Sequence, residues 1–223
     1  MKSRNPARII PALAVLLAGA CLVLPASSVL AGKHPEPSVY PIRNCWYLDF
    51  KHAAPKRIVI DAPGLRAPTA FWYLTYTVTN NTGKEVEFLP EYEMVTEDGA
   101  IHYGNRGIPQ SVFDAIKKVT GNDLLLPSAQ LAGPLHQGED QAKDGVIIWE
   151  EPMLRMGSFS IYIGGLNNEF VAATDNDGKP VLGADGKPIV LRKTLELNYN
   201  IFGDEVKAGL NEVHAKPERW VMR

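Results

Sequence analysis

Two methionines spaced as Met-x-x-Met, Met153 and Met156, are the sharpest candidate for chemistry in this sequence of 223 residues. Thioether sulfur is a soft ligand that selects cuprous copper, so the spacing is compatible with an exported copper carrier. Methionine also fills gaps in hydrophobic cores. Because no histidine lies near the pair in the sequence to complete a metal site, we favour core packing and keep copper binding as the alternative.

Two pairs of glutamates have residue types that could hydrolyse a glycosidic bond: Glu91 with Glu93, and Glu150 with Glu151. Such hydrolysis needs two carboxylates that flank the scissile bond. Alternate residues of a strand share a face, so Glu91 and Glu93 would lie about 7 Å apart. Alternating acidic residues are also typical of a solvated strand face or a protected sheet edge. Since nothing else in the chain completes the catalytic set, an uncharacterised hydrolase is the third functional hypothesis.

Other catalytic and metal-binding motifs are absent from the sequence. It has no Gly-x-Ser-x-Gly elbow, no His-Glu-x-x-His, no Cys-x-x-Cys and no phosphate-binding glycine loop. The five histidines have no paired metal-ligand spacing: His34, His52, His102, His136 and His214. The segment 175–178 resembles the start of a calcium loop, but its glycine comes too early, and a hairpin turn explains it better. We therefore expect no cofactor and no catalysis.

The C-terminal tail holds the candidate binding residues: Trp220, Arg219 and Arg223. An exposed tryptophan can bind a sugar or a partner protein, whereas a docked one closes the core. Tails stay disordered unless they are tied down, which favours docking. The partner would be an envelope or extracellular protein or a glycan, and the sequence does not identify it.

An export signal at the N terminus is the most specific feature of the chain. Residues 1–31 run from a positively charged start through an apolar stretch, 9–24, to small residues that end at Ala31. This order predicts a secretory signal peptide cleaved between Ala31 and Gly32, hence a periplasmic or extracellular protein. The apolar stretch is about 16 residues long and contains Pro11, whereas a membrane span needs roughly 20. We therefore expect no stable membrane insertion after cleavage.

The two cysteines each leave an alternative open. Cys21 follows Ala-Gly-Ala, an imperfect lipobox inside the apolar stretch, so a lipoprotein is the alternative localisation. Cys45 is the only cysteine downstream of the signal, so the mature chain cannot form an intrachain disulfide. Its apolar neighbours favour an inert, buried thiol, and a disulfide to another chain is the alternative.

The mature chain is mildly acidic. The signal contains three of the 23 basic residues and none of the 25 acidic ones, so the remaining 192 residues carry a formal charge of −5. Nucleic acid and anionic lipid require clustered positive charge, so neither is an expected partner. The length suits one domain that buries its own core.

Alternation of apolar and polar residues predicts a single β domain over 42–223, preceded by an extended lead-in over 32–41. The clearest strand covers 71–79. This strand is predicted to be half-buried, with a core face that carries Trp72, Leu74, Tyr76 and Val78. A turn at 80–83 is predicted to return the chain as the partner strand over 84–89. The other predicted strands are 45–50, 57–61, 91–96, 101–103, 146–149, 158–163 and 190–200.

Three further segments depart from the strand pattern. A helix near 111–120 is predicted with Ser111 as its cap and Gly121 as its stop. Its apolar stripe is Val112, Ile116 and Val119. The repeated Asp-Gly-Lys-Pro near 175–190 predicts a β-excursion with two turns. Helical spacing over 206–213 predicts a C-terminal extension.

Four stretches share features with one family: the aromatic strand at 71–79, VTNNTG at 78–83, EMVTEDG at 93–99, and a glycine-containing lead into a strand at 133–149. Together they resemble secreted bacterial immunoglobulin-like domains of the telokin-like type, over about half of the mature chain. The resemblance implies a sandwich fold in a family that is mostly uncharacterised and non-catalytic. We therefore predict a mainly β, immunoglobulin-like β-sandwich with one inserted α-helix and a C-terminal extension. Its predicted role is surface binding or envelope assembly.

Overall fold

The computed structural model describes residues 45–152, 156–201 and 213–223. Most of its elements are strands. The strands are β1 Asp49–His52, β2 Lys56–Ile60, β3 Thr69–Thr79, β4 Val86–Phe88, β5 Glu91–Thr96, β6 Ile101–Tyr103, β7 Gly133–Leu135, β8 Lys143–Glu150, β9 Ser158–Gly164, β10 Phe170–Ala172, β11 Val190–Ile201, β12 Val213–Ala215 and β13 Arg219–Met222. The α-helices are α1 Gln110–Thr120 and the single turn α2 Ser128–Leu131.

Several sequence predictions lie outside these residues and stay predictions. They are the signal peptide with Cys21, the cleavage site between Ala31 and Gly32, the lead-in over 32–41, Met153, and most of the helical spacing over 206–213. The division of the chain into signal, lead-in and single domain is likewise still a prediction. In the described part, no helix is both long enough and apolar enough to cross a membrane.

The strands form two antiparallel sheets, which we call the first sheet and the second sheet. In the first sheet β3 is central and pairs with β1, β2 and β8. In the second sheet β11 pairs with β9, β10, β12 and β13, and β9 continues through β5 to β6. β4 and β7 form a separate ribbon. These sheets confirm the predicted mainly β sandwich.

The inner faces of the two sheets pack together in the main core. The predicted core face of β3 is confirmed, because its four residues are at most 4% exposed. Alternate residues of β5, β9 and β11 close the core from the second sheet. They are Tyr92, Met94, Phe159, Ile161, Ile163, Leu195, Leu197 and Tyr199. The period of two along each strand therefore decides which side chains enter the core.

A second core lies between the outer face of the first sheet and α1. Phe71 and Tyr73 of β3 are buried there against Val112, Phe113 and Ile116. The inserted helix is confirmed, but the prediction that the strand at 71–79 is only half-buried is wrong over its first half. The reason is that α1 covers the face that alternation alone would leave to solvent.

The ends of α1 differ in part from the prediction. The helix begins one residue before Ser111, with Pro109 at the cap position, and the Ser111 Oγ donates instead to the carbonyl oxygen of Pro63 at 2.7 Å. Gly121 ends the helix as predicted, in the left-handed conformation with φ 64°. Val119 is 63% exposed and does not belong to the buried stripe.

The predicted return of the chain over 84–89 as a partner of β3 is wrong. β4 pairs with β7, because β1, β2 and β8 already occupy both edges of β3. Asn80 redirects the chain: it is fully buried, and its Nδ2 donates to the carbonyls of Lys84 at 2.8 Å and Leu135 at 2.7 Å. A side chain that bonds its own turn offers the backbone an alternative to a hairpin ladder.

Residues 213–223, the described part of the C-terminal extension, contain two short strands, since β12 and β13 both pair with β11. The segment between β10 and β11 contains the repeated Asp-Gly-Lys-Pro. Its equivalent positions Ala173, Val181 and Ile189 are joined in a ring, each backbone N–H donating to the next carbonyl at 2.8 Å. The eight-residue repeat therefore places matching backbone groups side by side.

Candidate functional site

The outer face of the second sheet carries a row of polar side chains in register. Glu93 of β5 is directly opposite Tyr162 of β9. Tyr162 is opposite Glu196 of β11, which in turn is opposite Arg219 of β13. Directly opposite residues of antiparallel strands share a face. Because the alternate residues of these strands enter the main core, the row lies on the face turned away from the first sheet.

Glu196 is the centre of this row, and only 3% of its side chain is exposed. Arg219 donates to it from Nε and, at 2.9 Å, from Nη2, and the Tyr162 hydroxyl donates at 3.2 Å. Burial alone would raise the pKa of the Glu196 carboxyl, but the hydrogen bonds and charge of Arg219 lower it, as do the hydrogen bonds of Asn198 and Tyr162. Burial and the nearby Glu196 charge raise the pKa of Tyr162. The row therefore contains a fixed carboxylate beside a neutral phenol.

Arg223, the residue after β13, extends the polar row. Its Nη2 lies 2.6 Å from Glu93 Oε2, and its guanidinium lies 3.9 Å from the centroid of the Tyr162 ring. Arg192 of β11 is its backbone partner, with N–H···O bonds of 2.7 and 3.0 Å in the two directions. Arg192 is exposed and makes no ion pair with any residue in the described ranges.

These side chains enclose a cavity of about 150 Å³. Its walls include Glu91, Glu93, Tyr162, Arg192 and Arg223. Gly164 of β9 lies in the floor, where an added Cβ would meet Glu91 Cβ at 3.4 Å. The missing side chain therefore keeps the space between the charged walls open.

A second cavity of about 400 Å³ adjoins the first and shares two of its residues, Glu91 and Glu93. Tyr103 and Arg106 form its far side, with Arg106 Cζ 4.2 Å from the centroid of the Tyr103 ring. We call the two cavities together the outer-face cleft. It combines three arginines, two glutamates and exposed aromatic surface.

The predicted C-terminal binding residues fall on opposite faces of β13. Arg219 and Arg223 lie on the outer face with the polar row. Trp220 is opposite Leu195, is half-buried and packs against the main core. The Lys193 ammonium lies 5.8 Å from its ring. Trp220 is thus docked, and the structure does not bring it together with the two arginines.

The two glutamate pairs have different surroundings. The first pair lies in the outer-face cleft. In the second, Glu151 is 8% exposed and accepts from Arg57 Nε at 2.6 Å, from Arg57 Nη2 at 2.8 Å and from Trp72 Nε1 at 3.2 Å. The hydrogen bond to Glu151 raises the pKa of Arg57 against the effect of burial. Glu150 is exposed. The second pair therefore consists of one glutamate in an ion pair and one glutamate that faces solvent.

The candidate metal ligands are dispersed. Met156 is half-buried and packs against the main core, whereas Met153 lies outside the described residues. Cys45 is half-buried and is a free thiol. His52 and His136 each contact a glutamate, at 2.9 and 2.5 Å. Within the described ranges, no group of three or more His, Cys, Asp or Glu side chains is placed to hold a metal ion.

A buried ion pair on the inner face of β11 was not found from the sequence. Lys193 Nζ lies 3.0 Å from Glu169 Oε2, both side chains are at most 6% exposed, and the Tyr47 hydroxyl donates to the same oxygen at 2.5 Å. Burial and the hydrogen bond and charge of Glu169 raise the pKa of Tyr47. The alternation of β11 places Lys193 on the same face as Leu195 and could have revealed that its side chain points inward.

No known protein family matches this chain, and no curated protein matches it. Among solved structures, the chain resembles MPT63, a secreted protein from Mycobacterium tuberculosis solved at 1.5 Å resolution. The two sequences are 17% identical, the match covers 55% of this chain and 90% of that one, and the TM-score is 0.34. A likeness this weak assigns neither family nor function. The telokin-like assignment therefore stays a resemblance, and the β-sandwich architecture rests on the described sheets.

Proposed function

We propose that this chain is a non-catalytic exported domain that binds its ligand in the outer-face cleft. The main support is the concentration of charged and aromatic side chains at one end of the second sheet's outer face. Farther along the same strands, small polar residues satisfy one another. Ser160 Oγ donates to Asn198 Oδ1 at 2.5 Å, and Ser158 Oγ donates to Asn200 Oδ1 at 3.0 Å. A concave surface with convergent polar groups is the usual place for a ligand.

The state of the carboxylates supports binding over hydrolysis. Glu196 is held by Arg219, and Glu93 is held by Arg223. A glycosidase needs one carboxyl that donates a proton and a second that acts from across the scissile bond. Glu91 is the one glutamate lining the cleft that makes no ion pair with a described residue. A single unengaged carboxylate suits hydrogen bonding to a ligand.

The compartment follows from the N-terminal sequence. The predicted signal peptide would deliver the domain to the periplasm or outside the cell. In the lipoprotein alternative, Cys21 would hold the domain at a membrane surface in the same compartment. In both cases the cleft would meet the proteins and glycans of the cell envelope, which are the partners that the sequence favours.

Filling the cleft tests this function. Gly164→Leu places a side chain in the floor of the first cavity and is expected to abolish ligand binding in a folded domain. Ser158→Leu places the same side chain on the same strand and face, six residues away and roughly 20 Å from the cleft, and is the matched control. Calorimetric titration would compare both variants with the wild type, against neutral and acidic oligosaccharides and short envelope peptides.

Four outcomes would contradict the proposal. Binding of no member of this panel by the wild type, or equal binding by Gly164→Leu and the wild type, would exclude the cleft. Turnover of an oligosaccharide that is lost in Glu91→Gln would identify a hydrolase. Stoichiometric retention of cuprous copper by the wild type but not by Met156→Leu would identify a copper carrier.

A further inference from the structure

Two arginines stand side by side at one end of the outer-face cleft, and only one of them is neutralised by a described carboxylate. Arg192 of β11 and Arg223, the residue after β13, are directly opposite backbone partners. Like charges in this arrangement destabilise a sheet. Arg223 is balanced by Glu93 at 2.6 Å, whereas Arg192 makes no ion pair in the described part of the chain. An anionic ligand group beside Arg192 would relieve the repulsion and accept charge-assisted hydrogen bonds.

Exposed aromatic rings accompany the arginines at both ends of the cleft. Phe170 of β10 is directly opposite Arg192 and is 63% exposed. At the other end, Tyr103 is 47% exposed, and its ring lies beneath Arg106. Aromatic rings gain from covering their faces with apolar groups, and the C–H face of a pyranose ring is such a group. Each end therefore offers an anion-binding group and a stacking surface.

Glu91 lies between these two ends, because it lines both cavities. An ionised carboxylate only accepts hydrogen bonds. It repels ligands that are anionic at every position, such as polyphosphate, and it binds hydroxyl donors. A ligand that complements both the positive arginines and the negative Glu91 carries carboxylates, which pair with the arginines, and hydroxyls, which donate to Glu91.

Building on the proposed function, we infer that the outer-face cleft binds an acidic oligosaccharide of the uronic-acid type. The register places Tyr103 and Arg192 three strands and about four residues apart, so their Cα atoms are separated by roughly 20 Å. A ligand that contacts both ends extends over several sugar rings. Its carboxylates meet Arg192 and Arg106, and its rings stack on Phe170 and Tyr103.

Calorimetric titration with short oligomers of galacturonate, mannuronate and hyaluronan tests the inference over three linkage types. The carboxyl-reduced form of each oligomer keeps the rings and removes the charge. We expect at least one uronate to bind about tenfold or more tightly than its reduced form. Arg192→Gln is expected to reduce this preference several-fold without changing the affinity for the reduced form, because Arg106 still meets a carboxylate at the other end. Arg66→Gln, at an exposed arginine in the loop between β2 and β3, changes the net charge equally and is the matched control.

The stacking surfaces are tested separately. Tyr103→Ala and Phe170→Ala are expected to weaken the uronate and its reduced form by the same factor, since stacking on the C–H face does not depend on the carboxylate. A selective loss of uronate binding in these variants would overturn the assignment of the rings.

The outcomes separate this inference from the proposed function. Equal affinity for charged and reduced oligosaccharides, abolished by Gly164→Leu, would overturn the acidic preference and leave a binding cleft. Absence of binding to every oligosaccharide would overturn the inference, and the envelope peptides would then decide the proposed function. Tighter binding of tripolyphosphate than of any uronate would exclude a saccharide as the ligand.

Discussion

The strands of both sheets alternate between inward and outward side chains, but a helix packs on the outer face of the first sheet, whereas the outer face of the second sheet lines a cleft. On the first sheet, Phe71, Tyr73 and Ile148 point outward and are buried under α1. On the second sheet, outward positions carry charged and polar groups such as Tyr162 and Glu196, and they line or border a cleft. A face covered by a helix contributes to stability, whereas an uncovered face of fixed charges is available to a ligand.

The largest expected effect is on the covered face. Ile116→Ala removes a fully buried side chain of α1 and is expected to lower the free energy of unfolding by about 2–5 kcal/mol. Val119→Ala changes an exposed residue of the same helix and is expected to stay within about 0.5 kcal/mol. Urea denaturation measures both. Equal effects would show that α1 does not cover the first sheet in solution.

A smaller effect is expected in β13, which directs Trp220 into the main core and Arg219 to the outer face. Trp220→Ala removes a half-buried ring of β13 from the main core and is expected to cost about 2 kcal/mol, less than a fully buried tryptophan. Lys216→Ala, in the same terminal segment, is exposed and serves as the control. Thermal unfolding distinguishes them. Unchanged stability of Trp220→Ala together with reduced ligand binding would show that this ring contacts the ligand and does not stabilise the core.

The smallest effect is expected on the open face, and it depends on pH. Glu196→Gln weakens the pair with Arg219, whose side chain is 67% exposed, and is expected to cost about 1 kcal/mol at pH 7. Because the folded-state pKa of Glu196 is lowered, its contribution is fully present above the ordinary glutamate pKa of about 4.3. It is lost as the pH falls through the lower folded value.

Urea denaturation at pH 7, 5 and 3 would follow this dependence. The difference in unfolding free energy between the wild type and Glu196→Gln should shrink as the pH falls below about 4.3. Glu87→Gln, at an exposed glutamate of β4, is the matched control. A difference that grows toward low pH would contradict the lowered pKa.

Local features of the fold could be predicted because they depend on residues close together in the chain. The core face of β3 follows from strict alternation, and the turn between β5 and β6 follows from Asp98 and Gly99. Asp98 Oδ1 accepts from Thr96 Oγ1 at 2.6 Å and from the Ala100 N–H at 3.1 Å, which fixes the turn. Burial of the second face of β3 could not be predicted, because the covering helix comes some forty residues later.

The sequence identified some residues of the candidate site separately, but it did not show that they form one site. Glu91, Glu93, Arg219 and Arg223 were each singled out from the sequence, but as a hydrolase pair and as parts of a binding tail. The alternation of β11 also marks Glu196 as an outward residue. What the sequence does not contain is the cross-strand register that sets β5 and β9 beside β11 and β13, because these strands lie up to about 130 residues apart.

The sequence by itself determined which side chains of each strand share a face, because the period of two is a local property of extended backbone. It also predicts an export signal over residues 1–31. Tertiary structure alone decided which face α1 covers and which strand edges remain for β4, β12 and β13. Those choices minimise exposed apolar surface and unpaired backbone groups over the whole chain, so no local segment contains them. The outer-face cleft is the part of the second sheet where this packing leaves charges in contact with solvent.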